Sequence, residues 1–169
     1  DVDRAADYMG RFSRLLRTSL ESSREDYILL EDEISSMKNY MELQSLRYDN
    51  KFDYSIETDE AIDLESAIIP PMLLQPFIEN AIEHGIRHKE DKGSIVVRFI
   101  REGEKISCEI EDDGVGREKT RKIVKQKEHK SLATDIIRDR MAVLNKKLRQ
   151  KISLSIIDLK SDTDQALGT

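Results

Sequence analysis

Between Leu74 and Gly85 the chain sets an amide, Asn80, and an imidazole, His84, one helical turn apart beside a wide apolar stripe. Further along, Asp112-Asp113-Gly114-Val115-Gly116 puts a carboxylate at the end of an alternating strand that runs into a glycine-framed turn. Either segment alone constrains little. The ordered pair, a helix and then a strand end, reads as two walls of one pocket.

The 169 residues suffice for one domain, or one domain with an appendage. Ala5, Tyr8, Met9, Phe12, Leu15, Leu16 and Leu20 recur at helical spacing, which predicts an amphipathic helix over 3–23. Its apolar face either packs on the rest of the domain or meets another helix, and polar Glu21–Asp26 separates it from the next apolar segment. A second helix is expected over 31–47, with Glu31, Asp32 and Glu33 at the positive end of its dipole. Lys51–Thr58 reads as a strand. Pro70-Pro71 is expected to start a helix that runs to about Ile86 with Leu74, Phe77, Ile78, Ala81 and Ile82 facing the core. Ile95–Ile100 and Lys105–Glu111 form a hairpin, Leu132–Leu148 a helix with Ser131 as N-cap, and Lys151–Leu159 a last strand. The fold class is α+β: a two-layer sandwich of helices on a mixed, largely antiparallel sheet, preceded by an amphipathic helix.

A formal charge of −6 disfavours a general nucleic-acid binder. The exception to that acidity is Arg117–Lys130, where seven Lys/Arg stand against two Glu. A single cysteine, Cys108, excludes an internal disulfide framework and fits a reducing compartment. No apolar run approaches the length of a membrane span. The chain is cytosolic in character.

The chemistry of the two walls follows from residue type. A carboxamide such as Asn80 offers a neutral oxygen to Mg²⁺, which shares oxygen ligands with substrate phosphates. His84, and Arg87 a further turn along, can face phosphate oxygens. Asp112 can accept a hydrogen bond from the exocyclic amine of adenine, and Gly114 and Gly116 let backbone approach a ligand closely. The helix start at Ser131 is a seat for phosphate, and the cations of 117–130 attract a triphosphate. Standing alone, an Asp-Gly turn or a polar helix face would carry none of this. His88 and His129 read as solvent-exposed bystanders.

With these residues in place, the chain resembles the catalytic half of sensor histidine kinases of the LytS/YehU type, over nearly all its length. The most specific segment is Ile69-Pro70-Pro71-Met72-Leu73-Leu74-Gln75-Pro76-Phe77-Ile78-Glu79-Asn80-Ala81-Ile82-Glu83-His84-Gly85. Tyr8-Met9-x-x-Phe12-Ser13-x-Leu15-Leu16-Arg17 is similar to the end of that family's dimerisation hairpin. Tyr40-Met41-Glu42-Leu43-Gln44 and Arg47-Tyr48 are similar to the lead-in to its ATP-binding domain. Asp112-Asp113-Gly114-Val115-Gly116 corresponds to the adenine-binding turn, Arg140-Met141 to a pair in the helix after the lid, and Gly168-Thr169 to the final Gly-Thr. The resemblance implies the Bergerat (GHKL) sandwich, ATP and Mg²⁺, with Asn80 as metal ligand and Asp112 as adenine reader. Gly114 and Gly116 then shape the base pocket, Ser131 and Leu132 hold the phosphate end of the lid, and His84 neighbours the phosphates. Gly168 and Thr169 complete the nucleotide set.

Residues 1–26 are then expected to be the remnant of the dimerisation and phosphoacceptor hairpin with its linker, and 27–169 the ATP-binding domain without its last strand. The family's acceptor histidine sits in an Asn-Pro-His-Phe stretch, which this chain lacks, so the acceptor is expected upstream. The lid reads Lys130-Ser131-Leu132-Ala133, without the usual glycines. The expected function is transfer of the ATP γ-phosphate to a histidine and then to a response regulator receiver domain. The expected assembly is a homodimer through the N-terminal helix, with no nucleic acid. Membrane contact is expected only through upstream segments, which makes this the cytoplasmic fragment of an inner-membrane protein. Two alternatives differ in class. An ATP-hydrolysing conformational switch needs a glutamate where this chain has Pro76, and a non-catalytic scaffold needs a degenerate pocket.

Overall fold

In the computed structural model, the described residues are 2–116, 138–146, 153–157, 159–160 and 166–168. The chain opens with α1 (Val2–Ser22), β1 (Ile28–Leu29), α2 (Leu30–Arg47), β2 (Phe52–Thr58) and β3 (Ile68–Ile69). α3 (Gln75–Asn80) passes without a break into a π-helix, Ala81–Ile86, and β4 (Gly93–Glu102) and β5 (Lys105–Asp112) come next. Residues 138–146 are helical, here α4, and β6 (Leu159–Lys160) pairs with β7 (Ala166–Gly168).

Alternation builds the sheet. β4 buries Ile95, Val97 and Phe99 on one face and keeps Val96, Arg98 and Ile100 on the other. It lies between β2, parallel to it, and β5, antiparallel. The hairpin between β4 and β5 closes on Gly103 at φ 63, a left-handed position that glycine takes without strain. The inner face, with Phe52 from β2, meets a layer made of α2 and the α3–π helix. Leu30, Ile34, Met37 and Met41 face Ile78, Ala81, Ile82 and Ile86 around one core. Each fully buried aliphatic side chain here contributes about 1.5–3 kcal/mol. The molecule is therefore a mixed α/β sandwich with helices on one face of a mixed sheet.

α1 packs on α2 through buried Leu15 and an Arg11–Glu42 ion pair of 2.8 Å. Tyr8 stacks on Phe12, with ring centroids 6.4 Å apart. Met9, Phe12, Leu16 and Leu20 stay exposed, from 37% for Phe12 to 66% for Leu20.

Three expectations are corrected. Pro70-Pro71 does not begin the helix. A residue before proline is driven to extended backbone, and Met72 then turns left-handed at φ 56, so α3 starts at Gln75 with Pro76 in its first turn. The second half of that helix is π rather than α, as the Arg87 N–H bond to the Ile82 carbonyl (2.9 Å) shows. Lys151–Leu159 is not a strand at 153–157. Leu154 and Ile156 keep their half-buried alternation, but Leu154 packs on the Leu73–Met141 cluster instead of joining a ladder. The smaller differences are at ends: β2 starts at Phe52 and β4 at Gly93.

The π-helix is tied to α2 by Glu83. Tyr48 Oη donates to Glu83 Oε1 at 2.6 Å, Arg47 lies 3.5 Å from the same oxygen, and Arg87 Nη1 donates to Oε2 at 3.1 Å. Burial raises the Glu83 carboxyl, but the Tyr48 and Arg87 hydrogen bonds and the two arginine charges outweigh it, and its pKa lies below the ordinary value. A lowered folded-state pKa gives stability that is present above the ordinary glutamate range and is lost as pH falls through the folded value. Glu83→Gln is therefore expected to lower stability at neutral pH and to leave it unchanged well below that range. Urea unfolding at the two pH values measures this; an equal deficit at both would make Glu83 a packing group and not a charged tie.

Candidate functional site

The two sequence motifs meet through their glycines. Gly85, in the π-helix, lies so close to the strand-end turn that a Cβ on it would stand 2.4 Å from Asp112 Oδ1 and 3.5 Å from the Gly114 Cα. A Cβ on Gly114 would stand 2.3 Å from the Gly85 Cα. Val115 N–H donates to the Gly85 carbonyl at 3.3 Å, so backbone holds backbone across the seam. The wide π-turn brings this glycine, rather than a side chain, to the strand end. π-turns recur at functional sites.

Asp112 is the last residue of β5 and only 5% exposed. Its Oδ1 accepts from the Gly114 N–H at 2.9 Å, which closes the turn upon itself. The neighbouring Asp113 points elsewhere. Its Oδ1 accepts from the Ser94 N–H at 2.7 Å, and Oδ2 pairs with Lys89 at 2.8 Å. That side chain staples the turn to β4 and to the segment after the π-helix. Gly116 is buried with φ 72, a backbone that a side chain would strain.

Asn80 ends α3 and is half-buried, and His84 is half-buried one turn on, within the π-helix. Through Gly85 their helix is fixed against the Asp112 turn. The Arg87 guanidinium pairs with Glu83, on the side that faces Tyr48 and Arg47. Gly168 lies in β7, paired with Leu159. Ser131, Leu132 and Thr169, together with the lid and the basic segment 117–130, lie outside the described residues. His88, expected to be exposed, is half-buried. Among the described residues no three His, Cys, Asp or Glu side chains cluster as a metal site, and no helix is long and apolar enough to cross a membrane. Burial pushes the Cys108 thiol up to about 12.

Sequence reasoning misses Gly85, Asp113 and Lys89 as parts of this frame. For Gly85 a signal exists, since a glycine within an apolar helical pattern usually has a packing reason. For Asp113 and Lys89 there is none, because their pairing joins positions that only the fold brings together.

The chain is similar to several known proteins. A family model described as Histidine kinase matches residues 1–52. Sensor protein LytS of Staphylococcus saprophyticus is 28% identical over 136 residues, 79% of this chain and 23% of that protein. Sensor histidine kinase YpdA of Escherichia coli is 29% identical over 114 residues, 68% of this chain and 20% of that one. The uncharacterized protein YwpD of Bacillus subtilis is 28% identical over 140 residues, 82% and 47% respectively. A histidine kinase domain of a blue-light activated kinase from Erythrobacter litoralis gives a TM-score of 0.48 at 17% identity, covering 83% of this chain and 71% of that one. Over these spans the chain is similar to histidine kinases, and among them to the LytS-type sensor kinases. It spans about a fifth of the length of the LytS proteins it matches.

The glycine seam makes a sharp prediction. Gly114→Ala forces backbone against backbone and is expected to destabilise the chain by about 1–3 kcal/mol or more. Gly85→Ala meets a carboxylate oxygen that can shift, so the loss should be smaller. Urea unfolding of both variants tests the order. An unchanged midpoint in Gly114→Ala would mean that the seam is loose in solution.

Proposed function

We propose that this chain is the ATP-binding part of a two-component sensor histidine kinase. It presents the ATP γ-phosphate to a histidine outside these residues, from which the phosphoryl group passes to an aspartate of a response regulator receiver domain. The observation that carries this reading is the Gly85–Gly114 contact, which locks Asp112 and the Asn80–His84 face into one frame. The donor set suits a Mg–adenine nucleotide. A buried carboxylate at a strand end would accept a hydrogen bond from the adenine amine, and the Asn80 carboxamide oxygen would ligate the metal. His84 lies on the phosphate side. Ser131 and Leu132 belong to the phosphate end of the site and Gly168 and Thr169 to its periphery, on the strength of the family pattern alone.

In such a transfer the protein contributes positioning and charge compensation more than covalent chemistry. Mg²⁺, when bound, would supply charge neutralisation to the phosphates, with the Asn80 carboxamide among the groups that would hold it. Asp112 would orient the base, and the buried seam would exclude water from that end. The hydrolytic alternative gains nothing here: Pro76 is no base, and Glu79 accepts a hydrogen bond from Gln75 at 2.9 Å. The same reading puts the chain at the cytoplasmic side of a longer, membrane-anchored protein, paired with a second copy through α1. Residues 1–26 then serve the dimer and 27–169 the nucleotide.

Calorimetry with a non-hydrolysable ATP analogue tests the proposal. Asp112→Asn should weaken binding by about 1.5–3 kcal/mol through loss of a charge-assisted bond. Asn80→Ala should weaken binding strongly with Mg²⁺ and only slightly without it. Equal losses with and without the metal would assign Asn80 to structure, and no binding by the parent chain at millimolar nucleotide would leave the scaffold reading.

Self-association follows from the exposed face of Met9, Phe12, Leu16 and Leu20, since symmetric dimers are the commonest oligomers. Light scattering should show a dimer for the chain and a monomer for the Phe12→Glu, Leu16→Glu double variant. A monomer for both at high micromolar concentration would rule the dimer out.

A further inference from the structure

The peptide group between Pro71 and Met72 is gripped at both polar ends by side chains from two separate helices. Its N–H donates to Glu33 Oε2 on α2 at 3.2 Å. Its carbonyl, that of Pro71, accepts from Arg140 Nη2 on α4. Nη1 of the same guanidinium donates to the following carbonyl, that of Met72, at 3.2 Å. Glu33 is 3% exposed, and its Oε1 makes no hydrogen bond among the described residues. Burial pushes its carboxyl above the ordinary value, against the Met72 and Leu74 amides and the Arg140 charge, which favour the ionised form.

The orientation of that peptide is what sets φ of Met72, which stands at 56°. A residue with a Cβ is crowded there, and methionine has no short polar side chain to compensate. Two unfavourable features, a buried carboxylate and a left-handed methionine, therefore coincide at one peptide group. They make sense together if the carboxylate and the guanidinium are what keep the peptide turned. Leu73 and Leu74 come directly after it, α3 begins at Gln75, and Asn80 is its last residue.

We propose that Glu33 and Arg140 are positioning residues for the nucleotide site, holding the Pro71–Met72 peptide in the orientation from which α3, and with it Asn80, takes its place. The inference rests on the nucleotide reading of Asn80. Release of either grip lets the peptide turn over, relaxes Met72 to negative φ and changes the approach of the chain to Leu74. α2 and α4 thereby act on the site without touching the ligand.

The test is a rescue. In calorimetry with the Mg²⁺-loaded ATP analogue, Arg140→Ala and Glu33→Gln should each weaken binding by roughly tenfold, the scale of a left-handed non-glycine residue. Adding Met72→Gly to either variant should restore most of the affinity, because glycine adopts this φ without strain. A merely structural contact would not be rescued so, since an extra glycine costs chain entropy. Unchanged affinity in both single variants, or a loss that Met72→Gly leaves in place, overturns the proposal. Should the parent chain bind no nucleotide, the nucleotide reading fails, and with it the positioning of a ligand site. The peptide grip itself would then be read from thermal unfolding: Met72→Gly restores the midpoint lost in Arg140→Ala if the grip is real and fails to do so if it is not.

Discussion

Gly85 and Gly114 touch backbone to backbone, and the site is arranged around that contact. It contributes almost no side-chain burial of its own. It exists because the layers on either side are packed: Ile78, Ile82 and Ile86 on the helix, Ile95, Val97 and Phe99 on the sheet. With no side chain between them, the two main chains come near enough for the Val115–Gly85 hydrogen bond and bury Asp112 beneath the turn. A carboxylate that is buried and bonded to its own turn is restrained in its orientation.

The helix that meets this turn is held from both flanks. At its far end Glu83 gathers Tyr48, Arg47 and Arg87, a largely exposed group whose individual ion pairs contribute little and whose value is in register. Before its start, buried Glu33 and exposed Arg140 grip one part-buried peptide, and losing that peptide's N–H leaves the buried Glu33 carboxyl without its partner. The outer hold is adjustable and the inner one is close to all-or-none.

Much of this is legible in the sequence where periodicity decides structure. α1, α2, β2 and the β4–β5 hairpin follow from apolar spacing, and Asp112 is recognisable as a strand-end carboxylate before glycine. The misreadings fall where distant contacts overrule local pattern. Two prolines suggest a helix start, but Met72, turned by Glu33 and Arg140, delays it to Gln75. The π-turn is invisible to spacing because it serves a close approach to Gly114. Sequence pattern assigns that glycine to ligand access, and the structure gives it first to Gly85. Leu154 and Ile156 alternate like a strand yet join no ladder, since alternation marks half-burial and not hydrogen bonding.

The pairing of β2 with β4 has a consequence for how the pocket assembles. β5 meets β4 through a two-residue turn, whereas Phe52 finds Gly93 only after a loop of about forty residues has closed, and closure entropy grows with the logarithm of loop length. The strand that ends in Asp112 thus belongs to the cheapest contact in the sheet, and the helix that carries Asn80 lies inside the most expensive one. One wall of the pocket is a local structure and the other a long-range one. In partial unfolding they need not open together, and the Asp112 wall can outlast the Asn80 wall.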